Sequence, residues 1–489
     1  MIPMWCRSLR GGLVQLAGIF HLALAVPTTA ASTAPAVSRP NIILILADDL
    51  GYGELGCFGQ REIRTPNLDH LAAQGMRWTR FYAGSPVCAP SRSVLMTGLH
   101  TGHTRVRGNA PRTNRMAQIL RKEDRTLAHS LQGAGYTTAL IGKWGLAQEG
   151  TDGIPNRMGF DYFYGYLDQF HAHNPYPEFL IRQEVRVPLR NRLDPAVPKE
   201  VAKEGAGWAV RARDFAPDLL TTEALRWVEA NRKKPFFLFW SLITPHANNE
   251  GSKIGRGQEI PSLGDYENRP WPSPDRAHAA TISRLDHDVG RLLTLLSRLH
   301  LKERTLIIFT SDNGHHQEGG NHPELFDANG PLRGLKRDLY EGGIRVPTVI
   351  HWPGRIPGGT TSDHVACFTD IWPTLAELTG ARIPPGLDGL SFAPILMGKP
   401  PSRRHASLYW EFHEGGFSQA VLMEGRWKAI RKKRRDAAIE LYDVATDTGE
   451  TTDLATKRPD LLKRAEELMV TERRDHPDWP IRDGKLLRD

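Results

Sequence analysis

Residues 41–49 read Asn41-Ile42-Ile43-Leu44-Ile45-Leu46-Ala47-Asp48-Asp49, an apolar run that ends in two adjacent acids. The run does not alternate between apolar and polar residues, which is typical of a strand buried on both faces of a parallel sheet. Similar apolar runs recur at residues 137–141, 236–242, 306–309 and 349–352. Such strands need helices on both sides of the sheet, so this stretch predicts an α/β fold.

Helical patterns lie between the apolar runs, as that fold requires. Residues 65–75 open with Thr-Pro, keep apolar residues at helical spacing and end in Gly, which predicts one helix. Residues 218–230 predict a second helix, and residues 282–296 carry the apolar stripe of a longer third one. We therefore expect a large, mostly parallel sheet flanked by helices.

The pattern changes after the Pro-Pro pair at residues 384–385. Short alternating runs between residues 408 and 442 predict a small antiparallel sheet, and residues 459–474 predict a terminal helix. We place a catalytic α/β domain at residues 31–385 and a C-terminal α+β subdomain at residues 386–489.

The N-terminus has the layout of a secretory signal peptide over residues 1–30. Two arginines precede an apolar stretch at residues 12–26, and small residues follow it. The stretch is too short for an ordinary transmembrane helix, and no later stretch is long and apolar enough to be one. We expect an exported protein without a membrane anchor, in the periplasm, outside the cell or in a lysosome-like compartment.

The composition excludes several classes of protein. Of the 489 residues, 40% are hydrophobic and 24% are charged, which excludes a mostly disordered or fibrous chain. The formal charge of +8 suits anionic substrates but is equally explained by a solvated surface. The export signal disfavours nucleic acid as a partner.

Polar residues follow four of the apolar runs, at the point where ligands bind in open parallel sheets. They are Asp48 and Asp49, Lys143, His246, and the pair Asp312 and Asn313. Four strands therefore deliver an acid pair, a lysine, a histidine and an acid–amide pair to one edge of the sheet.

Asp48, Asp49, Asp312 and Asn313 are all oxygen donors, the ligands that Ca²⁺ or Mg²⁺ prefers over Zn²⁺. Either pair alone is explained by turn chemistry, since Asp and Asn commonly close turns. Because both pairs stand at strand ends, we expect a metal site.

Residues 85–98 contain a cysteine placed for anion chemistry. The sequence predicts a short helix that begins just after Cys88, whose N-terminal amides favour negative charge, and Arg92 adds a guanidinium one turn on. Without the signal peptide the chain keeps three cysteines, Cys57, Cys88 and Cys367. An odd number in an oxidising compartment leaves at least one unpaired or modified.

Residues 88–98, Cys-x-Pro-Ser-Arg-x-x-Leu-x-Thr-Gly, resemble the signature of the type I, formylglycine-dependent sulfatases of the alkaline-phosphatase-like superfamily. Residues 142–144, 245–246 and 334–347 are similar to further motifs of that family. The resemblance extends from about residue 39 to residue 460.

The resemblance implies that a formylglycine-generating enzyme converts Cys88 to formylglycine, and that one Ca²⁺ is held by the four oxygen donors and the modified Cys88. One hydroxyl of the hydrated aldehyde would attack sulfur and expel the alcohol. Loss of a proton from the other hydroxyl would then release sulfate and restore the aldehyde. Ca²⁺, Arg92, Lys143 and Lys336 would neutralise the sulfate oxygens, and His246, with Lys336, would protonate the leaving oxygen.

The sequence departs from the usual family pattern at residue 145. Gly145 stands where the family usually has the histidine assigned as base for sulfate release, and Ala147 replaces a usual glycine. We take His173 as the first candidate for that base, with His103 and His315 behind it. Any of them is equally explained as a structural or exposed histidine.

We expect a sulfuric ester hydrolase that removes sulfate from a carbohydrate or an aryl sulfate. One alternative keeps the fold but makes the substrate a phosphomonoester, phosphodiester or phosphonate. Another is an exported glycan-binding protein whose Cys88 is never converted. Glu411 and His413 are candidates for the wall of the substrate pocket. The alternative interpretation is that both are half-buried strand residues without a role in binding.

Overall fold

The computed structural model describes residues 39–481, so the predicted signal peptide lies outside the described residues. The strands are β1 (Asn41–Asp48), β2 (Met76–Trp78), β3 (Phe81–Tyr82), β4 (Thr137–Lys143), β5 (Tyr162–Tyr166), β6 (Phe179–Arg182), β7 (Val185–Pro188), β8 (Arg192–Leu193), β9 (Ala209–Arg211), β10 (Phe236–Pro245), β11 (Thr305–Ser311), β12 (Thr348–His351), β13 (Thr360–Ser362), β14 (Ala366–Cys367), β15 (Ser407–Phe412), β16 (Ser418–Met423), β17 (Trp427–Arg431) and β18 (Ile439–Asp443). The α-helices are α1 (Pro66–Ala73), α2 (Cys88–Thr97), α3 (Leu127–Gly133), α4 (Gln169–Ala172), α5 (Lys199–Lys203), α6 (Ala216–Asn231), α7 (Asn249–Ser252), α8 (Ser273–Arg298), α9 (Glu341–Ile344), α10 (Ile371–Thr379), α11 (Ala393–Leu396) and α12 (Pro459–Thr471).

The main sheet has the strand order β13-β2-β12-β11-β1-β10-β4-β5-β6-β7. Its centre, from β11 through β1, β10 and β4 to β5, is parallel, whereas β12, β6 and β7 pair antiparallel with their neighbours. The expected mostly parallel sheet flanked by helices is therefore confirmed. Of the apolar runs, only the one at residues 349–352 belongs to an antiparallel strand.

Strand β1 is buried on both faces because its side chains alternate between two cores. Ile42, Leu44 and Leu46 pack in a core with apolar residues of α2, α3 and α10. Ile43 and Ile45 pack on the other face with those of α1, α6 and α8. Each such aliphatic side chain contributes about 1.5–3 kcal/mol when removed from water, so the centre of the sheet is a rigid base for the residues that follow its strands.

Strands β15 to β18 form a separate antiparallel sheet, as predicted. Helix α12 packs on one face of it, and the other face contacts the chain just before α2, where the Trp410 indole donates a hydrogen bond to the Ala83 carbonyl at 2.9 Å. Helix α12 ends at Thr471 rather than at residue 474, because the Arg474 amide leaves the helix to bond the Gly102 carbonyl. The domain boundary at residue 385 stays a prediction.

Candidate active site

The carboxyl ends of β11, β1, β10 and β4 lie side by side at one edge of the main sheet, since these strands are parallel neighbours. Polar side chains follow each of them. They are the residues that the sequence singled out: Asp48, Asp49, Lys143, His246, Asp312 and Asn313.

Two of the acids form ion pairs with buried lysines. Lys143 Nζ lies 2.7 Å from Asp48 Oδ2, and Lys336 Nζ lies 2.7 Å from Asp49 Oδ2. Burial raises the pKa of Asp48, but the charges of Lys143, His246 and Arg92 outweigh it and lower that pKa to about 2. Asp48 is therefore ionised and available as a ligand.

The third acid is held by Arg92, which is fully buried. Its Nε and Nη2 donate to Asp312 Oδ2 at 2.9 and 2.7 Å, and its Nη1 donates to the Lys143 carbonyl at 2.8 Å. The guanidinium thus orients Asp312.

The acid cluster, defined as Asp48, Asp49, Asp312 and Asn313, fits a hard divalent cation. The Oδ1 atoms of Asp48 and Asn313 are buried without a hydrogen-bond partner among the described residues, which is costly unless a cation binds them. The Asn313 amide donates to Asp49 Oδ1 at 2.7 Å, which fixes its amide orientation. Burial and the Asp48 charge raise the pKa of Asp312 to about 7, a strain that a cation at this position would relieve.

Cys88 is the first residue of α2, with Val87 as N-cap and Gly98 in the left-handed conformation after its last turn. The predicted helix therefore exists and begins one residue earlier than expected. Cys88 is 2% exposed, and its Sγ lies 3.6 Å from Gln169 Oε1 and 3.7 Å from Asn109 Oδ1. Burial raises the pKa of Cys88 to about 11, so the unmodified thiol is a poor nucleophile at neutral pH.

A pocket of about 400 Å³ opens over Cys88. Arg92 and Lys143 do not line this pocket and lie beneath it instead. Its walls come from the start of α2 and the segment after it, from the loops after β5, β10 and β11, from the turn between β15 and β16, and from the C-terminal segment. They consist of Cys88, Asn109, Ala110, Pro111, Gln169, Phe170, His173, His246, Asn249, Lys336, Arg337, His413, Glu414, Gly415 and Trp479.

His246 and Lys336 form a hydrogen-bonded pair in the pocket wall. His246 Nδ1 lies 2.6 Å from the Ala247 carbonyl and therefore donates, which leaves Nε2 to accept from Lys336 Nζ at 3.1 Å. Burial and the Lys336 charge lower the pKa of His246 to about 3. Burial lowers the pKa of Lys336, but the charges of Asp49 and Glu318 outweigh it and raise that pKa, so the imidazole is neutral and the ammonium keeps its proton.

His173 stacks on His246 with ring centroids 4.7 Å apart and 11° between the ring planes. Its Nδ1 lies 3.0 Å from Glu250 Oε2, and Arg112 pairs with the other oxygen of Glu250 at 2.9 Å. Burial raises the pKa of Glu250, but His173 outweighs it and lowers that pKa to about 2. The ionised carboxylate accepts the Nδ1 proton, which leaves the lone pair of the neutral imidazole on Nε2.

Comparison with known proteins places this geometry in a family. A family model described as Sulfatase matches residues 40–381. The chain belongs to the sulfatase family. A second model, described as the C-terminal part of N-sulphoglucosamine sulphohydrolase, matches residues 335–472. The chain is a sulfatase, an enzyme that hydrolyses sulfate esters.

Curated relatives and solved structures match the sulfatase over most of its length. Arylsulfatase A of Homo sapiens is 32% identical, with 89% of this chain and 88% of that one covered. N-acetylgalactosamine-6-sulfatase of Canis lupus familiaris is 30% identical, with 84% and 75% covered. The crystal structure of Ps i-CgsB in complex with k-i-k-neocarrahexaose has a TM-score of 0.70 at 27% identity and covers 90% and 94% of the two chains.

The other two histidine candidates lie outside the sulfatase pocket. His103 Nδ1 bonds Asp388 at 3.0 Å, and His315 lies beside Glu54 in the interior.

Gly145 has a φ of +80°, a conformation that a residue with a side chain rarely adopts. Its carbonyl accepts a hydrogen bond from the Gln118 side chain at 2.9 Å.

Sequence reasoning missed Gln169, Asn109 and Glu250. Gln169 follows β5, so the rule of strand ends applies to it, but β5 was not recognised because its sequence Tyr-Phe-Tyr-Gly-Tyr is not an aliphatic run. No local signal marks Asn109 or Glu250. Two residues of the small C-terminal sheet were candidates for the pocket wall. His413 lines the pocket, whereas Glu411 is buried and pairs with Arg107 at 2.9 Å.

Across residues 39–481, the helices are either too short or too polar to cross a bilayer.

Proposed function

We propose that this sulfatase removes sulfate from carbohydrates, with formylglycine made from Cys88 and one bound Ca²⁺. The observation that carries the proposal is the placement of Cys88. It opens a buried helix at the floor of a polar pocket, close enough to Asp48, Asp312 and Lys143 for their charges to act on it.

The acid cluster would hold the Ca²⁺, and the Oδ1 atoms of Asp48 and Asn313, which lack a hydrogen bond among the described residues, are the donors that favour this proposal. When bound, the ion would supply a concentrated positive charge for the oxygens of the sulfate group. The carboxylates of Asp48, Asp49 and Asp312 are already matched by Lys143, Lys336 and Arg92. A divalent cation would therefore leave an excess of positive charge, which suits an anionic ester.

Burial raises the pKa of Cys88 to about 11, so the unmodified thiol is almost fully protonated at neutral pH, which argues against the thiol itself as the nucleophile. As a hydrated aldehyde, formylglycine supplies two hydroxyl groups on one carbon, so that a sulfated residue 88 is able to release sulfate. Conversion requires a formylglycine-generating enzyme as a partner, and the signal-like residues 1–30 indicate export of the chain.

The remaining proton transfers are assigned to two pairs in the pocket wall. Lys336, backed by His246, would donate a proton to the leaving alcohol oxygen, because Lys336 lines the pocket and its Nζ bonds His246 Nε2. His173, held by Glu250, would remove the proton that sulfate release requires, in place of the histidine missing at residue 145.

The pocket lining favours a sugar as the alcohol. Asn109, Gln169, Arg337 and Glu414 give the wall the hydrogen-bonding groups that hydroxyls need. The names of the similar proteins point the same way, since one is an N-acetylgalactosamine-6-sulfatase and another was solved with a neocarrahexaose.

Mass spectrometry of the Cys88 peptide, together with release of free sulfate from a panel of sulfated mono- and oligosaccharides, tests the proposal. We expect the aldehyde at residue 88 and faster turnover of a sulfated sugar than of an aryl phosphate. An intact thiol in active protein would disprove the formylglycine, and faster phosphate turnover would move the enzyme to phosphoester hydrolysis.

A further inference from the structure

A second group of potential metal ligands lies in the interior, outside the pocket. We define the Glu54 cluster as Glu54, in the loop after β1, His278, on α8, and His315, after β11. Glu54 Oε1 lies 2.6 Å from His278 Nε2 and 3.0 Å from His315 Nδ1, and the three ligand atoms all lie within 4.8 Å of one another. All three residues are at most 1% exposed.

The hydrogen bonding of this cluster is incomplete. The other carboxylate oxygen, Glu54 Oε2, accepts the Gly51 amide at 2.6 Å, so Oε1 alone faces the histidines. Neither ring nitrogen of His315 has a hydrogen-bond partner in the part of the chain that the structure describes. Its Nδ1 is thus close to Glu54 Oε1 without the alignment of a hydrogen bond, as expected when an ion belongs between them.

Asn321 determines which ring nitrogen of His278 carries the proton. Its side-chain amide lies 3.4 Å from His278 Nδ1, and its own oxygen is buried without a partner in the described region. The oxygen and nitrogen of such an amide are assigned from the hydrogen-bond network alone. Turning the amide over lets Oδ1 accept the Nδ1 proton of His278, which leaves a lone pair on Nε2, directed at Glu54. This is how the outer hydrogen bond of a metal-binding histidine fixes its tautomer.

A lone pair and a carboxylate at 2.6 Å repel each other unless a cation lies between them. Within residues 39–481, no lysine or arginine forms an ion pair with Glu54, so that cation is either a proton or a metal ion. Two imidazole nitrogens and one carboxylate oxygen are the ligand set that suits Zn²⁺ and related transition metals, whereas Ca²⁺ and Mg²⁺ prefer oxygen alone.

We propose that Glu54, His278 and His315 bind a divalent transition metal ion, Zn²⁺ first among them, at a structural site separate from the acid cluster. The ion would join α8 to the two segments that carry the acid cluster, since Glu54 follows Asp49 by five positions and His315 follows Asn313 by two.

The test is the metal content of the purified full-length chain after incubation with Zn²⁺ and dialysis in Ca²⁺-containing buffer, measured by mass spectrometry of the elements. We expect about one tightly held zinc per chain, and Co²⁺ in its place should show visible absorption bands of a tetrahedral site. His278→Gln should lose the zinc. His351→Gln, a change at a buried histidine on β12 outside the cluster, should keep it.

Three outcomes overturn the proposal. The first is wild-type protein with less than about 0.1 zinc per chain and no Co²⁺ bands. The second is a His278→Gln variant that binds zinc as the wild type does. The third is zinc that is lost in Asp312→Asn but kept in His278→Gln, which would place the ion at the acid cluster. If His278→Gln fails to fold, wild-type protein without zinc and without Co²⁺ bands still overturns the proposal, and neither measurement depends on sulfatase activity.

Discussion

The acid cluster and the Glu54 cluster are built on the segments that follow the same two strands, β1 and β11, yet they differ in chemistry. In the acid cluster, Lys143, Lys336 and Arg92 each hold a carboxylate at 2.7 Å. In the Glu54 cluster, the carboxylate has two histidines as neighbours. Both clusters are buried, but Lys336 and His246, which lie within 3.4 Å of Asp49, line the pocket, whereas no residue of the Glu54 cluster does.

The difference shows how one pair of strands serves two purposes. Residues directly after a parallel strand lie at the open edge of the sheet, where ligands bind. Residues a few positions further along lie against helix α8, where His278 contacts Glu54. Charge balance follows this geometry, because fixed cations at the edge prepare a site for an anion, whereas a buried carboxylate without such cations needs a bound ion or proton.

The largest effect on turnover is expected at Cys88, which lies near the acid cluster and not in the Glu54 cluster. Cys88→Ala removes the group that formylglycine would be made from and should lower sulfate release by about 10⁴-fold or more. Folding should be unchanged by circular dichroism. Cys57→Ala, at a half-buried thiol outside the pocket, serves as the matched control. Substantial turnover by Cys88→Ala would place the chemistry on another residue.

Asp312→Asn separates the two clusters by their metals. The change keeps the shape of the side chain but removes a charge that Arg92 holds and a ligand of the acid cluster. We expect Ca²⁺ affinity to fall at least about tenfold and turnover by about 10²–10³-fold, with zinc content unchanged. Calorimetric Ca²⁺ titration measures the first effect. Asp286→Asn, at a buried acid that caps α1, should alter neither. Unchanged Ca²⁺ binding in Asp312→Asn would remove this residue from the ligand set.

The acid cluster was predictable from the sequence because its residues adjoin unmistakable strands. Asp48 and Asp49 end an aliphatic run, and Asp312 and Asn313 end another, so local pattern and the geometry of parallel sheets suffice. The central strands and the small C-terminal sheet follow from similar patterns, whereas the order of the strands is known from the structure alone. Lys336 follows no strand, and only the family resemblance pointed to it.

The Glu54 cluster and the His173–Glu250 pair were not predictable in this way. Glu54 and His278 are 224 positions apart, and His173 and Glu250 are 77 apart. Each of these residues lies in a loop or a helix with no strand end to mark it. Such contacts depend on how α7 and α8 pack against the sheet, which is decided by the tertiary structure as a whole and not by any local run.

His173→Gln tests whether His173 serves as the base for sulfate release in place of a histidine at residue 145. Without a base beside residue 88, release of sulfate should slow by about 10²-fold, a typical contribution of general base catalysis. A peptide with sulfated formylglycine at position 88 should then accumulate and be visible by mass spectrometry after rapid quenching. His103→Gln, at a histidine bound to Asp388 outside the pocket, should show neither change. Equal turnover in His173→Gln and wild type would exclude His173 as the base.

Glu54→Gln removes the only carboxylate of the second cluster and should act on stability more than on rate. Breaking a buried charged network costs about 3 kcal/mol of unfolding free energy, and bound zinc should be lost with it. Glu411→Gln is the matched control, because Glu411 is equally buried and paired but belongs to no proposed metal site. It should lose stability without any change in zinc. Loss of Ca²⁺ affinity in Glu54→Gln would show that the two clusters are not separate sites.

The smallest effect concerns pH and the Glu250 carboxylate. Because the pKa of Glu250 lies near 2 in the folded chain, below its ordinary value of 4.5, ionised Glu250 stabilises the fold at any pH above about 4.5. That contribution should shrink as the pH falls from 4.5 towards 2. Glu250→Gln should therefore lower the free energy of unfolding by about 2 kcal/mol at pH 7, and denaturant curves of variant and wild type should converge near pH 2. A difference that stays constant down to pH 2 would mean that Glu250 stabilises the pocket by packing, and His173 would then lack the charged partner that makes it a base.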